Sequence, residues 1–249
     1  MERGRLTVRL FASDLDGTLI DGRGGACRFA AAWQAIPAER RPRLAYATGR
    51  LLGDAAAAVR EAGLPAADFV IGGVGTEARD RNGPLPGFVE RFAEGWDRAQ
   101  VEAIVSAVPG IDRQDARYQH AHKSSWHLHD AAPAAIAGLA QRLAGAGLQV
   151  EIVYSSNRDL DILPRAGTKG AALAWLAGRL GIGNEGIVVA GDTGNDISMF
   201  RLPGIRGILP ANALPELIAA TEGLPVYRSG RPAADGIVDG LARYGVVRG

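Results

Sequence analysis

The sequence predicts an α/β protein, with a parallel sheet in its core and a smaller α+β cap domain inserted into that core. Short apolar runs alternate with helical segments over the first 80 residues, the order expected of parallel strands joined by crossover helices. The alternation stops after residue 80 and resumes at residue 164. Clusters of Asp, Gly and Thr follow several apolar runs, where open α/β sheets bind their ligands. We therefore predict a core at residues 1–80 and 164–249, and a cap at residues 81–163.

The first core segment is predicted to contain three strands and two helices. In chain order these are a strand at 8–13, a helix at 26–36, a strand around 44–46, a helix at 51–62 and a strand at 68–71. The first strand is an apolar run with β-branched and aromatic members, and Gly17 permits a sharp turn just after it. Pro37 ends the first helix, and Gly63 ends the second.

The cap segment has a different rhythm, typical of an α+β unit. Residues 82–87 are rich in Gly and Pro and predict a linker. The elements that follow are a helix at 96–108, a strand at 120–130, a helix at 133–145, and strands at 148–155 and 160–163. A second compact unit inserted between core elements is expected to cover the active site as a lid.

The second core segment restores the strand and helix order. Its elements are a helix that opens at 167–170 and runs to about 180, a strand at 187–190, a helix around 197–200, an apolar run at 207–209, a helix from Pro215, a strand at 226–227 and a last short helix. Gly181 lies just past the end of the first of these helices.

Composition excludes several classes of protein. The chain has 249 residues, a net charge of +1 and 47% hydrophobic residues, so it is globular and carries no broad basic surface for nucleic acid. No segment has the apolar length of a membrane span, and no signal-peptide core follows the first residues. A single cysteine, Cys27, excludes an internal disulfide. We expect a cytoplasmic protein with no nucleic-acid or membrane partner.

Two aspartates at the end of the first strand are the strongest candidates for catalysis. Asp14 and Asp16 are two residues apart, so on extended backbone their side chains face the same way. Two carboxylates this close repel each other unless a shared proton or a cation such as Mg²⁺ neutralises them. Asp14 suits a nucleophile that attacks phosphorus, and Asp16 a general acid and base.

Three further clusters follow predicted strands or open a helix. Thr48 and Gly49 offer a hydroxyl and an amide that can hold a phosphoryl oxygen, and Asn195 can orient the phosphate or a lysine. Lys169, one of only two lysines, supplies a compact positive charge. Asp192 and Asp196 complete an oxygen-rich metal site. Each motif alone also fits an ordinary solvated turn. Their occurrence together, in this order along the chain, favours a catalytic site.

As a set, these motifs resemble the signature of haloacid dehalogenase-type phosphatases. The matching segments are Asp14–Thr18, Thr48–Arg50, Lys169 and Gly191–Asp196. The resemblance implies a Rossmann-like core, an essential Mg²⁺ and an aspartyl-phosphate intermediate. It also implies the metal ligands, which are the side chain of Asp14, the backbone carbonyl of Asp16, and Asp192, with Asp196 as further support. The insert is similar to the large cap of the subclass that acts on sugar phosphates.

A narrower resemblance is to the sucrose-phosphate phosphatases. It is carried by residues 71–77, 122–125, 189–196 and 233–237. The sequence departs from that branch at Gly72–Gly73, where a serine is more frequent. Substrate choice is expected to lie in the cap, and the candidate hydroxyl-binding residues there are His122, Lys123, Asn157 and Arg158.

The favoured function is Mg²⁺-dependent hydrolysis of a phosphorylated sugar, with sucrose 6-phosphate as the first candidate. Glucosylglycerol phosphate, mannosyl-phosphoglycerate, amino-sugar phosphates and hexose phosphates are the alternative substrates. A phosphosugar mutase would use the same residues, and a non-enzymatic sensor would have no use for a nucleophile. A sugar-phosphate synthase that would deliver the substrate is a candidate protein partner.

Overall fold

The computed structural model describes residues 7–248, and it contains twelve strands and eight α-helices in that range. The strands are β1 Leu10–Ser13, β2 Arg43–Ala47, β3 Phe69–Gly72, β4 Glu77–Asp80, β5 Gly83–Pro84, β6 Ile111–Arg113, β7 Ser124–Leu128, β8 Val150–Ser155, β9 Asp159–Pro164, β10 Ile187–Ala190, β11 Arg206–Leu209 and β12 Val226–Arg228. The helices are α1 Gly25–Gln34, α2 Leu52–Glu61, α3 Arg98–Ser106, α4 Pro133–Gly145, α5 Lys169–Leu180, α6 Ile197–Phe200, α7 Pro215–Ala220 and α8 Ala233–Arg243.

Eight strands form the core sheet, in the order β12-β11-β10-β1-β2-β3-β4-β5. The six strands from β12 to β3 are parallel, and β4 and β5 add an antiparallel hairpin at one edge. β1 lies in the middle, paired with β10 on one side and β2 on the other. The predicted α/β class, parallel core and inserted α+β cap are therefore confirmed.

Helices cover both faces of the core sheet, as parallel sheets require. On β1, Leu10 and Ala12 join one apolar cluster, and Phe11 joins the other. Phe11 contacts the rings of Phe29 and Trp33 from α1, with ring centroids 6.1 and 5.7 Å away. The strand that ends in the candidate nucleophile is thus buried on both sides, and its end is held rigidly.

The cap contains a separate antiparallel sheet, in the order β6-β7-β9-β8. One face of this sheet packs with α3 and α4 around a core that includes Trp126, Leu160 and Ile162. Side chains alternate along strands, so the opposite face presents polar residues of β7 and β9. That polar face looks toward the carboxyl ends of the core strands.

The junction between core and cap differs in detail from the predicted boundary. The core sheet continues past residue 80 to β5, within the stretch predicted to be a linker. Phe88 and Phe92 also join the apolar cluster of the core, and Arg91 lies over the rings of Phe88 and Trp175. The second crossing follows Pro164, the last residue of β9.

Gly75 lies against the second crossing and tolerates no side chain. Its φ is +122°, and a Cβ there would stand 2.3 Å from the backbone of Thr168, the residue that caps α5. We expect Gly75→Ala to lower the free energy of unfolding by more than about 1 kcal/mol. Urea denaturation measures this change. Gly178→Ala, inside α5 with open space around it, is the control and should be neutral or stabilising. Equal stability of Gly75→Ala and the wild type would contradict the expectation.

Candidate active site

The central strands bring Asp14 and Asp192 together. In the parallel pair of β1 and β10, Ser13 lies opposite Ala190, so the residues after each strand meet at the same edge. The Asp14 amide donates a hydrogen bond to the Ala190 carbonyl at 3.0 Å. Thr18, in the turn after β1, donates its hydroxyl to Asp192 Oδ1 at 2.9 Å. Both carboxylates are buried.

Lys169 links two of the buried carboxylates. Its Nζ donates to Asp14 Oδ1 at 2.8 Å and to Asp196 Oδ1 at 2.7 Å. The lysine is the first residue of α5, and the Thr168 side chain caps that helix by accepting from the Ala171 amide. Lys169 is fully buried, and a buried ammonium is tolerated only when it is paired in this way.

Burial and mutual repulsion set the electrostatics of this cluster. Burial raises the pKa of Asp14 well above its usual range, although Lys169 opposes the shift. Burial, reinforced by the charge of Asp196, raises the pKa of Asp192 to about 7. Burial alone would lower the pKa of Lys169, but the two aspartates outweigh it and raise that pKa. Three carboxylates share one ammonium, so the cluster favours an added cation.

The donor set fits a hard divalent cation. Oxygens of Asp14, Asp192 and Asp196 all lie within 4.8 Å of one another. Magnesium prefers such carboxylate oxygens. Asp196 is already engaged, because Oδ1 accepts from Lys169 and Oδ2 accepts the amides of Asp192 and Thr193 at 3.0 and 3.2 Å. Asp14 and Asp192 are therefore the side chains best placed to ligate a metal, and Asp196 positions Lys169 and the loop.

The predicted phosphate-binding residues lie beside this cluster. Thr48 follows β2, is fully buried, and accepts the Arg50 amide at 3.2 Å. Gly49 and Asn195 both line the cleft above the cluster. The Asn195 Oδ1 is buried and has no hydrogen-bond partner among the described residues. Phosphate oxygens are acceptors, so a bound phosphate would contact the Nδ2 donor of Asn195 and not this oxygen. Lys169 is oriented by Asp14 and Asp196.

Asp16 has an environment that the sequence did not indicate. Its side chain is 51% exposed, and Arg50 donates to both of its oxygens, from Nε at 2.7 Å and from Nη2 at 2.6 Å. Arg50 follows β2, and Asp16 follows the neighbouring β1. The only available signal was the position of Arg50 directly after the Thr-Gly pair.

A cleft of about 850 Å³ lies between the catalytic edge and the polar face of the cap. Lys123 lies in its roof, 3% exposed, with its Nζ 2.7 Å from Asp161 Oδ1 and in contact with the Ser125 hydroxyl. The cleft is also lined by cap residues that were not predicted as site residues. They are Gln114, Asp115, Arg117, Tyr118, His127, Ser155, Ser156, Asp159 and Asp161. Alternating polar residues along Asp159–Ile162 were a signal for this face.

The four predicted cap residues divide into two pairs. Lys123 and Arg158 line the cleft. His122 packs against Phe92, with ring centroids 5.1 Å apart, and is not among the lining residues. Asn157 lies in the β8–β9 turn and lines a groove on the other side of the cap, beside α4. The structure therefore brings only two of the four toward the catalytic edge.

The buried cluster of Asp14, Lys169 and Asp196 at the edge of a parallel sheet, below an α+β cap, is the arrangement expected from the resemblance to haloacid dehalogenase-type phosphatases. No helix in the described part of the chain is long and apolar enough to cross a membrane.

Comparison with known proteins places this chain within that class. Residues 7–245 match the sucrose-6F-phosphate phosphohydrolase family. The chain is 43% identical to mannosylfructose-phosphate phosphatase of Agrobacterium fabrum, over 96% of this chain and 98% of that protein. It is 32% identical to sucrose-phosphatase 1 of Nicotiana tabacum over 94% of its length, but spans only 59% of the tobacco protein.

A solved structure resembles the whole chain. The sucrose-phosphatase of Synechocystis sp. PCC6803, determined with sucrose and phosphate, superposes with a TM-score of 0.89 at 29% identity. The match covers 96% of this chain and 98% of that one. The chain belongs to the sucrose-6F-phosphate phosphohydrolase family.

The raised pKa of Asp192 makes metal stabilisation depend on pH. In the metal-free protein this carboxyl ionises near pH 7 when folded but near 4 when unfolded, so folding stability falls as pH rises between these values. A bound cation needs the ionised form and relieves the repulsion. We expect Mg²⁺ to raise the melting temperature more at pH 8 than at pH 5.5.

Differential scanning fluorimetry with EDTA or Mg²⁺ at both pH values measures this effect. Asp192→Asn is the control, because it removes the titrating carboxyl and should abolish most of the difference. An equal Mg²⁺ shift at both pH values in the wild type would contradict the expectation.

Proposed function

We propose that this protein is a Mg²⁺-dependent phosphatase that hydrolyses the phosphate ester of a fructose-containing disaccharide. The observation that carries the proposal is the arrangement of the cleft. Asp14 lies in its floor and is held from behind by the buried pair of Lys169 and Asp196. A polar cap face with Lys123 and Asp161 forms its roof. The floor suits a phosphoryl group, and a volume of about 850 Å³ suits a sugar larger than a single hexose.

The reaction proceeds in two halves. A carboxylate oxygen of Asp14 attacks phosphorus, the bond from phosphorus to the sugar oxygen breaks, and Asp16 gives that oxygen a proton. Water then attacks phosphorus of the aspartyl-phosphate and gives a proton to Asp16. The bond from phosphorus to the Asp14 oxygen breaks, so inorganic phosphate leaves and the Asp14 carboxylate is restored. Lys169 holds Asp14 and offsets the charge of the transferring group.

A bound Mg²⁺ would neutralise phosphoryl charge in both halves. The residues that would hold it are Asp14, Asp192 and the backbone carbonyl of Asp16, with Asp196 as support through the loop. Thr48, Gly49 and Asn195 would contact the phosphoryl oxygens.

Two disaccharide phosphates are the leading substrates. Sucrose 6-phosphate is supported by the family and by the Synechocystis protein, whose structure contains sucrose and phosphate. Mannosylfructose phosphate is favoured by a different observation, the 43% identity to the Agrobacterium phosphatase over nearly its whole length. Both sugars contain fructose, so the fructosyl unit is the shared element and the second sugar is the point of difference.

Phosphate release from a panel of sugar phosphates tests the substrate. The panel contains sucrose 6-phosphate, mannosylfructose phosphate, glucosylglycerol phosphate, mannosyl-phosphoglycerate and hexose phosphates, each with Mg²⁺ or EDTA. We expect one of the two fructose disaccharides to have the highest kcat/KM, and EDTA to abolish its turnover. Comparable rates on simple hexose phosphates would refute the disaccharide proposal, and phosphate transfer to a second position of the sugar would indicate a mutase.

Substitution of the nucleophile tests the route. We expect Asp14→Asn to lower kcat by about 10³-fold or more, because a carboxamide is a poor nucleophile. Lys169 keeps its partner Asp196 in this variant, so the fold should survive, which circular dichroism can verify. Asp112→Asn, on the exposed side of β6, is the matched control. Substantial turnover by Asp14→Asn would remove Asp14 from its role.

A further inference from the structure

The Arg50–Asp16 pair joins two residues that lie just beyond adjacent strands of the core. Arg50 uses two nitrogens of its guanidinium on the two oxygens of Asp16, in the fork geometry that gives such pairs directional strength. Both residues line the cleft. Asp16, the proposed general acid and base, is therefore held in place by Arg50.

The backbone of Arg50 is itself fixed. Its amide donates to Thr48 Oγ1 at 3.2 Å, and its carbonyl accepts the Gly73 amide at 2.8 Å. Thr48 is fully buried at the end of β2. The guanidinium therefore extends from a rigid point, and it fixes the direction in which the Asp16 carboxylate points.

The fixed direction of Asp16 matters most where nothing else orients the reacting group. In the first half, the nucleophile Asp14 is already held by Lys169, and the substrate is held by the cleft. In the second half, the attacking water is small, and its line of attack on phosphorus depends on where the Asp16 oxygens point. The pair with Arg50 therefore matches the needs of the second half of the reaction.

We propose that Arg50 is a positioning residue that holds the Asp16 carboxylate for hydrolysis of the aspartyl-phosphate. This inference rests on the aspartyl-phosphate route of the proposed function. In the step concerned, the water oxygen bonds to phosphorus and its proton passes to Asp16. The bond between phosphorus and the Asp14 oxygen breaks, and its electron pair returns to the Asp14 carboxylate. Formation of the aspartyl-phosphate depends much less on Arg50.

The test is pre-steady-state turnover of p-nitrophenyl phosphate with Mg²⁺. Its leaving group departs without protonation, so the first half needs no acid and the second half is isolated. We expect Arg50→Ala to release about one p-nitrophenolate per active site at nearly the wild-type rate. Its steady-state kcat should then fall about tenfold or more. Hydroxylamine, which cleaves acyl phosphates, should trap more phosphoenzyme in this variant than in the wild type.

Two further variants separate orientation from charge and from general damage. Arg50→Lys keeps the positive charge but loses the fork, so it should recover part of the steady-state rate. Arg28→Ala is the matched control, because Arg28 makes the same two-bond pair with Asp235 outside the residues that line the cleft. It should show neither a burst nor a slower steady state.

The outcomes distinguish this inference from the proposed function. Asp16→Asn should accumulate phosphoenzyme, and adding Arg50→Ala to it should slow the steady state no further. If Asp16→Asn accumulates phosphoenzyme but Arg50→Ala instead slows the first turnover without a burst, Arg50 acts on binding or phosphoryl transfer and this inference is wrong. If no variant accumulates phosphoenzyme and Asp14→Asn still turns over, the proposed route itself fails.

Discussion

A fully buried lysine, shared between two aspartates, is the interaction on which the catalytic end of this protein depends. Lys169 reaches Asp14 at 2.8 Å and Asp196 at 2.7 Å from the first turn of α5. A buried charge that loses its partner costs about 3–5 kcal/mol, so the three side chains must be delivered together. The fold does this by ending β1 and β10 side by side and starting α5 beneath them. The same buried geometry concentrates negative charge, and that excess favours a divalent cation at Asp14 and Asp192.

The two sides of the cleft have different physical characters. The floor is rigid, because its side chains follow strands that are buried on both faces. The roof is a polar face of a separate sheet, where Lys123 and Asp161 form their own buried pair. The core contacts the cap through polar pairs. The Ser156 amide donates to Glu216 Oε1 at 3.2 Å, and His120 lies 3.6 Å from Glu77. Under the proposed function, phosphate chemistry and recognition of the sugar therefore belong to different parts of the molecule.

Much of the fold followed from the sequence pattern, and the failures have physical causes. The helix at 133–145 and the strand at 187–190 are confirmed with the predicted bounds, because period, caps and apolar content agree there. The helix predicted to open at 167–170 begins at Lys169 and ends at Leu180. The β4–β5 hairpin was missed, since Gly83–Pro84 has poor strand propensity and pairs only through the sheet edge. The rule that parallel strands end at one edge predicted the grouping of Asp14 with Asp192. No local pattern could predict that Arg50 binds Asp16, because a long charged side chain has many possible partners. His122 and Asn157, both predicted to bind the sugar, lie in turns and are not among the residues that line the cleft.

The cap has its own apolar core, built around Trp126, Leu160 and Ile162, which shares no buried residue with the two clusters of the main sheet. Substitutions on the polar face of that sheet therefore leave the packing of the strands before Asp14 and Asp192 unchanged. If the roof binds the sugar as proposed, the preferred sugar can change by mutation within one domain while the hydrolytic chemistry stays constant. It also makes the roof the natural target for anyone who wishes to redirect this phosphatase to a new carbohydrate.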